Sequence, residues 1–372
     1  MRSWARMPAT GTPTAGTVEH TLGGNVASGG TPVEGALIEL CNASGVVLDT
    51  ELSDASGDYD FGSKTDGDYV LNCQAPHNYS LDAAEDGATS GLRADGYAFT
   101  LSGTHTKNFE LDAAWFSDNF ASYADTAAMI SSTGFGGSAR GLNLNVSNWF
   151  EPANTSNSLN ATGGPNGGKC YQHDITSSSF PGGTIGPFGA WNNGTTFSTL
   201  YMRVIDWYSS AWDFSIEYKQ WINSMVNDAN NSNAQGPHFF VTSSGSSPQI
   251  TYEQSDESPG HFITSFSSGT AYCTYPSVGT SCKVNFTARN TWNCWVYEIT
   301  NIGQSNHTIT VYLNGERKSS ITGDMTNLVA PGKLRTGQPL GANYNNGTYA
   351  AQSRRVAEVG VYATRPAMVS LF

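Results

Sequence analysis

Charge is scarce in this chain. Asp, Glu, Lys and Arg make up 13% of its 372 residues, about half the roughly 25% usual in soluble domains. Lys and Arg number 18 against 31 acidic residues, for a net charge of −13, and no basic patch stands out. Nucleic acid is therefore excluded as a partner, because phosphate contact is carried by Lys and Arg. No run reaches the roughly 18 consecutive apolar residues of a membrane-spanning helix. Helical periodicity is nearly absent, the best candidate being 121–132 (ASYADTAAMISS), with Ser122 or Asp125 as its cap. The opening residues, MRSWARMPATGTPTAGTVEH, hold two arginines but no apolar core, so no secretory leader is expected there. None of the six cysteines lies in a Cys-x-x-Cys pair, and no His spacing completes a zinc pattern.

What the chain does have is Gly, Ser, Thr and Asn, together with 12% aromatics. Counting its 41 glycines brings the apolar fraction near the usual range, so a core can form and wholesale disorder is excluded. Apolar residues alternate with period two, as in Ala36-Ile38-Leu40, Ile309-Val311-Leu313 and Val356 to Val361, and turn residues recur every 8–12 positions. Asp66-Gly67 and Asn314-Gly315 read as type I′ hairpin turns, which need positive φ. The fold class is all-β.

Three blocks are expected: an N-terminal arm over residues 1–22, a small sandwich over 23–113, and a larger domain over 114–372. In the first sandwich, a strand follows Pro32-Val33-x-Gly35-Ala36. Asp54-Ala55-Ser56-Gly57-Asp58-Tyr59-x-Phe61 closes a second strand, and Gly67-Asp68-Tyr69-x-Leu71 opens another. This block resembles the carboxypeptidase-regulatory-like and Cna-B-like prealbumin-type sandwiches, in which such elements mark turns and strands and not chemistry. A calcium site could be drawn from Asp54, Asp58, Asp60, Asp66 and Asp68. They do not fit the D-x-[DN]-x-[DN]-G loop, however, and turn chemistry accounts for them without metal, so no cofactor is assigned. Lys64 sits in a loop and not in an early strand, which argues against the isopeptide bond of some Cna-B-like domains.

The second block opens with WFSDNFASYADTAAMISSTGF. It continues through TLYMRVIDWYSSAWDFSIEYKQWI (199–222), TWNCWVYEIT (291–300) and HTITVYLNGERKSS (307–320), and closes with VAEVGVY. That order is similar to the concanavalin A-like jelly roll shared by laminin-G-type lectin modules, glucanases and polysaccharide lyases. A glucanase of this kind would carry two acids close together on one strand. Here Asp213 and Glu217 are four apart, about 13 Å along a strand, too far for the hydrolytic pair. A lyase would need a base, an acid and a cation to neutralise a uronate carboxylate, roles open to Arg203, Lys219, His238 and Tyr252. The family's R-x-E-x-R and Q-I-H signatures are absent: Pro248-Gln249-Ile250-Thr251 has Thr where His would stand.

Aromatics crowd 207–221, a composition suited to sugar stacking as well as to a core. Strand alternation puts Tyr201, Arg203, Ile205 and Trp207 on one face, and Met202, Val204 and Asp206 on the other. If the Arg203 face is open, Trp207, with Tyr201, Arg203 and Trp212, forms a carbohydrate-binding set. Disulfides are expected as Cys41–Cys73, Cys273–Cys282 (flanking a hairpin loop) and Cys170–Cys294. Sequons at Asn42, Asn78, Asn193, Asn285, Asn306 and Asn346 carry little weight in a chain so rich in Asn, Ser and Thr.

The leading expectation is a non-enzymatic structural or display protein of a virion or extracellular surface, of head-decoration or fibre type. It would attach to neighbouring proteins through the arm, bind glycans through the jelly roll, and form a homo-oligomer. This placement rests on analogy with modules common on such surfaces. A uronate-specific polysaccharide lyase and a self-assembling filament or adhesin subunit are the alternatives.

Overall fold

The computed structural model describes residues 18–81, 96–114, 116–131, 144–150, 155–176, 178–180, 183–191, 198–212, 218–225, 236–244, 247–255, 271–273, 281–282, 289–301, 304–323, 334–335, 342–344 and 347–369. Its alternating segments are strands, and the all-β class holds. In the first block the period-two apolar residues close a core between two sheets. One sheet runs Val47–Leu52, Leu37–Asn42, Gly67–Gln74, Tyr97–Leu101, all antiparallel. The other is built on Glu19–Ser28, which pairs antiparallel with Asp58–Thr65 and parallel with Phe109–Ala113. Ile38, Leu40, Leu71, Phe61 and Phe109 meet in the buried cluster between them.

The Asp-x-x-Gly-x-Tyr-x-Phe element is the corner of this sandwich. Asp54 Oδ1 accepts the backbone N–H groups of Ser56 (2.8 Å) and Asp58 (3.0 Å), closing the turn. Gly57 sits at φ +80°, and a Cβ there would lie 2.4 Å from Val26 O, so only glycine fits. Tyr59 and Phe61 then fall into the core, and the Tyr59 hydroxyl donates to Lys107 O at 2.6 Å. The other aspartates are also spent locally. Asp58 accepts from Asn25, Asp60 from the Gly62 N–H and Asp68 from Thr100, while Asp66 lies 2.9 Å from His20 Nε2. Among the described residues no acidic, His or Cys cluster is placed to hold a metal.

Three expectations are corrected here. Asp66-Gly67 is not a hairpin turn: Asp58–Thr65 and Gly67–Gln74 belong to different sheets, and Gly67 has no positive φ. The arm does not extend to residue 22, because Glu19 to Leu22 pair with Thr65 to Gly62 and Leu22 is fully buried. The Cys41–Cys73 disulfide is also absent. Cys41 lies opposite Val70 and Cys73 opposite Ile38, so the two thiols project from opposite faces of one sheet. The other turn expectation is met: Asn314 (φ 52°) and Gly315 (φ 83°) form the tight turn between His307–Leu313 and Glu316–Gly323. The short helix is Thr126–Ser131, with Asp125 Oδ1 accepting the Ala128 N–H at 2.8 Å as its cap.

The second block alternates between two antiparallel sheets, the arrangement of a jelly roll. One sheet runs Thr155–Asn160, Cys170–Ile175, Gln352–Tyr362, Thr199–Tyr208, Trp292–Thr300, His307–Leu313, Glu316–Gly323, Ala271–Cys273, with Phe116–Asp118 also on Gln352–Tyr362. The other runs Leu144–Phe150, Gly183–Trp191, Ala342–Tyr344, Tyr218–Met225, Gly236–Ser244, Ser247–Ser255, Ser281–Cys282. Cys170 and Cys294 are buried free thiols, not a disulfide. Their strands are separated by two others, about 14 Å across the sheet, well beyond disulfide reach. Burial pushes the Cys170 thiol up to about 12, countered in part by Arg355, so it is protonated and inert. Cys273 and Cys282 do not flank a hairpin, since Cys273 pairs with Ser319 in the first sheet and Cys282 with Ile250 in the second.

The two blocks are joined by more than a linker. Ala114, buried in the second block's cluster, donates its N–H to Asn78 O at 2.7 Å. The C-terminal segment after Tyr362 packs against the first block: Leu81 N–H donates to Arg365 O (3.0 Å) and Met368 N–H to Gln74 Oε1 (3.0 Å). Thr364 and Ser80 hydroxyls also meet, at 2.6 Å.

Candidate functional site

The Thr199–Tyr208 strand lies in the middle of the nine-stranded sheet, and its alternation runs as the sequence implies. Tyr201, Arg203, Ile205 and Trp207 share one face, lying opposite Glu298, Val296, Cys294 and Trp292. The face is not uniformly open. Tyr201 is 7% exposed and Arg203 only 1%, because the C-terminal segment and the first block cover this end. Arg203 forms a buried ion pair with Glu358, which is joined by His77 Nδ1 at 3.7 Å and by the Tyr362 hydroxyl at 3.3 Å. Arg203 Nη2 donates to Val369 O at 2.9 Å. Burial alone would raise the Glu358 carboxyl, but the Arg203 guanidinium, helped by the His77 contact, outweighs it and holds it at about 2. Arg203 and Tyr201 are therefore corrected as ligand contacts: they belong to a sealed joint, and Tyr201 is held by its hydrogen bond to Glu298 (3.0 Å).

Trp212 is also corrected. It is 1% exposed on the opposite face, against His173 and edge-on to Tyr208, with ring centroids 5.8 and 5.1 Å away. That face carries a second buried network. Asp206 accepts from Trp295 Nε1 (3.1 Å), Tyr208 OH (2.7 Å) and Arg354 Nη2 (3.3 Å). Burial, aided by the Arg354 charge, holds His173 well below its ordinary value, so it is neutral.

Trp207 is placed differently. Beyond a bulge, where Ala357 of the Gln352–Tyr362 strand is left out of the pairing with Ile205 and Asp206, the same face opens. Five directly opposed residues cross five adjacent strands here: Ser158, Gln172, Arg355, Trp207 and Trp292. All five are half-buried. They span about 19 Å at the usual strand spacing. A second line, Ser156, Asp174 and Ser353, lies one pleat further along and is likewise half-buried.

The strip is held by its own hydrogen bonds. The Arg355 guanidinium lies 4.4 Å over the Trp207 ring, and its Nε donates to Gln172 Oε1 at 2.9 Å. Arg355 Nη1 donates to Gly163 O at 3.2 Å. Asn160 Nδ2 donates to the same Gln172 oxygen (2.7 Å), and the Gln172 amide nitrogen reaches both Asp174 oxygens at 2.9 and 3.0 Å. These contacts fix which way the Gln172 amide faces. The result is a shallow row of a planar cation, amides, hydroxyls and indoles, the groups that bind sugar rims and faces.

Of the strip, sequence reasoning found Trp207 alone. Arg355 escaped because the bulge shifts the pleat: reading alternation back from Glu358 puts Val356 on this face, whereas the ladder puts Arg355 there. Gln172 and Asn160 carry no pattern of their own. Among the lyase candidates, Lys219, His238 and Tyr252 sit on adjacent strands of the other sheet, opposite Asn343, Glu253 and Phe239 respectively. Their side chains lie outside the described residues, as do Asp213 and Glu217. His238 and Tyr252 stand one register position apart on their paired strands, and Arg203 is in the other sheet altogether.

Residues 22–120 match the SdrD B-like domain family, in line with the Ig-like, prealbumin-type reading of that block. No curated protein matches the chain. Among solved structures, alginate lyase vAL-1 from Chlorella virus is 11% identical, with a TM-score of 0.37 over 64% of this chain and 98% of its own. An endo-β-1,4-glucuronan lyase from the fungus Trichoderma reesei is also 11% identical, with a TM-score of 0.38 over 70% and 99%. A legume lectin-like domain from Entamoeba histolytica is 13% identical, with a TM-score of 0.32 over 52% and 83%. At TM-scores this low, neither ligand nor activity transfers from those proteins.

Proposed function

We propose that this chain is a non-enzymatic display protein of a virion or extracellular surface, and that its second block binds saccharide on the strip centred on Trp207 and Arg355. The observation that supports this is the unbroken, half-exposed row from Ser158 to Trp292, held rigid by the Asp174–Gln172–Arg355 hydrogen bonds. A flat row of preset polar and aromatic groups on a stiff sheet binds a sugar chain with little ordering cost. The segment before Glu19 would attach the protein to its neighbours, in a homo-oligomer on the carrying surface. The lyase alternative loses one of its two candidate cations, since Arg203 is buried against Glu358.

A glycan array with the full chain and Trp207→Ala tests the reading. The intact protein should retain a subset of glycans, and the variant should lose them while keeping its fold. Retention unchanged by the substitution removes the strip from the reading. Incubation with alginate, glucuronan and pectin should give no rise in near-ultraviolet absorbance from unsaturated ends, and a rise would make the protein a lyase. Co-purification with particles at fixed stoichiometry checks the placement on a virion.

A further inference from the structure

Among the described residues, the strip holds a cation with no acid paired to it. Arg203 is paired with Glu358 and Arg354 with Asp206, each in a buried ion pair. Arg355 instead touches Trp207, Gln172 and the Gly163 carbonyl, all uncharged. Its Nε and one Nη1 hydrogen are used in these contacts, which leaves Nη2 and the second Nη1 hydrogen disengaged among the described residues. The Nη2 amino group is thereby a charged donor open to an oxyanion. The nearby carboxylate, Asp174, is already taken by the Gln172 amide and the Ser353 hydroxyl.

The neighbours set Arg355's plane and position. Trp207 lies under the guanidinium, and Gln172 and Gly163 accept from its Nε and Nη1, so the fork is held before any ligand arrives. The Trp207 ring face is thereby occupied by the cation. Trp207 is a positioning residue for Arg355, and the planar guanidinium is what a ligand meets.

Resting on the saccharide reading above, we infer that the strip selects acidic saccharides, with Arg355 binding a carboxylate or sulfate-ester oxyanion of the sugar. On a chain of net charge −13, such binding depends on this local cation and not on the long-range field, which repels anions.

The test compares matched saccharides in three arms, uronate-bearing, sulfate-bearing and neutral, by calorimetry on the full chain, with Arg355→Gln, Arg355→Lys and Trp207→Phe alongside. The intact protein should bind at least one acidic arm, weakening as salt rises, and the neutral arm should be about ten- to a hundredfold weaker. Arg355→Gln should erase that preference. Arg355→Lys should keep part of it, showing that the fold survives, while Trp207→Phe should retain the preference at reduced affinity. Whichever acidic arm binds identifies the oxyanion. Neutral saccharides bound as tightly as acidic ones, or a preference unchanged in Arg355→Gln, would overturn the inference and leave the saccharide reading standing. No binding in any arm overturns both.

Discussion

Gly57 shows how little latitude single positions have in the first block. Its φ is +80°, and a methyl group added there would come within 2.4 Å of Val26 O, so Gly57→Ala strains both backbone and neighbour. We expect a loss of about 1–3 kcal/mol, read as a lower urea midpoint at unchanged slope. Glu358 is a second such position. Replacing it by Ala leaves Arg203 buried without its counter-ion, at a cost of about 3–5 kcal/mol in urea unfolding. The double change Arg203→Met with Glu358→Leu should recover most of that loss, because the desolvation of both charges goes with them. At this scale the sequence was informative where a residue's role is local. Gly57, Asp125 and Asn314 all have the jobs their types imply. It was uninformative where the role depends on a distant partner, as for Arg203 and Trp212.

Among elements, strands and their alternation were legible, and pairing was not. Thr199–Tyr208 keeps its two faces as read, but only the ladder reveals that one face is half sealed and half open. Asp66-Gly67 carries the residues of a hairpin turn and instead passes the chain from one sheet to another, since turn chemistry does not say which strands follow it together. The bulge at Ala357 hid Arg355 for a similar reason: one extra residue resets the pleat, and no residue type announces it. The segment after Tyr362 is the clearest case of an element defined by its surroundings. Its contacts to Leu81, Ser80, Gln74 and Arg203 hold the two blocks together. Removing residues 363–372 should lower the melting temperature and admit protease between residues 75 and 115. A truncated chain as resistant as the full one would show that this segment is not the clasp.

At the scale of the molecule, the buried groups His173 and Glu358 both make stability fall in acid. His173 is held neutral in the fold, so its folded value is depressed, and the stability it contributes is present above 6.5 and declines as pH falls below that. Glu358 is likewise depressed, to about 2 from 4.5, so its contribution is full above 4.5 and is lost between 4.5 and about 2. Stability should therefore decline in two stages on acidification. Glu358→Gln should flatten the lower stage, and His173→Phe the upper, in urea midpoints measured across pH. The all-β class could be read from composition and period alone, whereas the joint between the blocks is built from residues far apart in sequence.

The position of Gln352–Tyr362 has a consequence for how the protein is made. This strand is flanked by Cys170–Ile175 and Thr199–Tyr208 and also holds Phe116–Asp118, so it is the keystone of the larger sheet. During synthesis on a ribosome the first block can close as soon as residue 113 is clear of the exit tunnel. The larger sheet, in contrast, stays split into two halves with unmatched edges until residue 362 emerges. Those edges are available for pairing with other nascent chains through most of translation. The first block would then stand folded ahead of a domain that assembles only once Gln352–Tyr362 is clear.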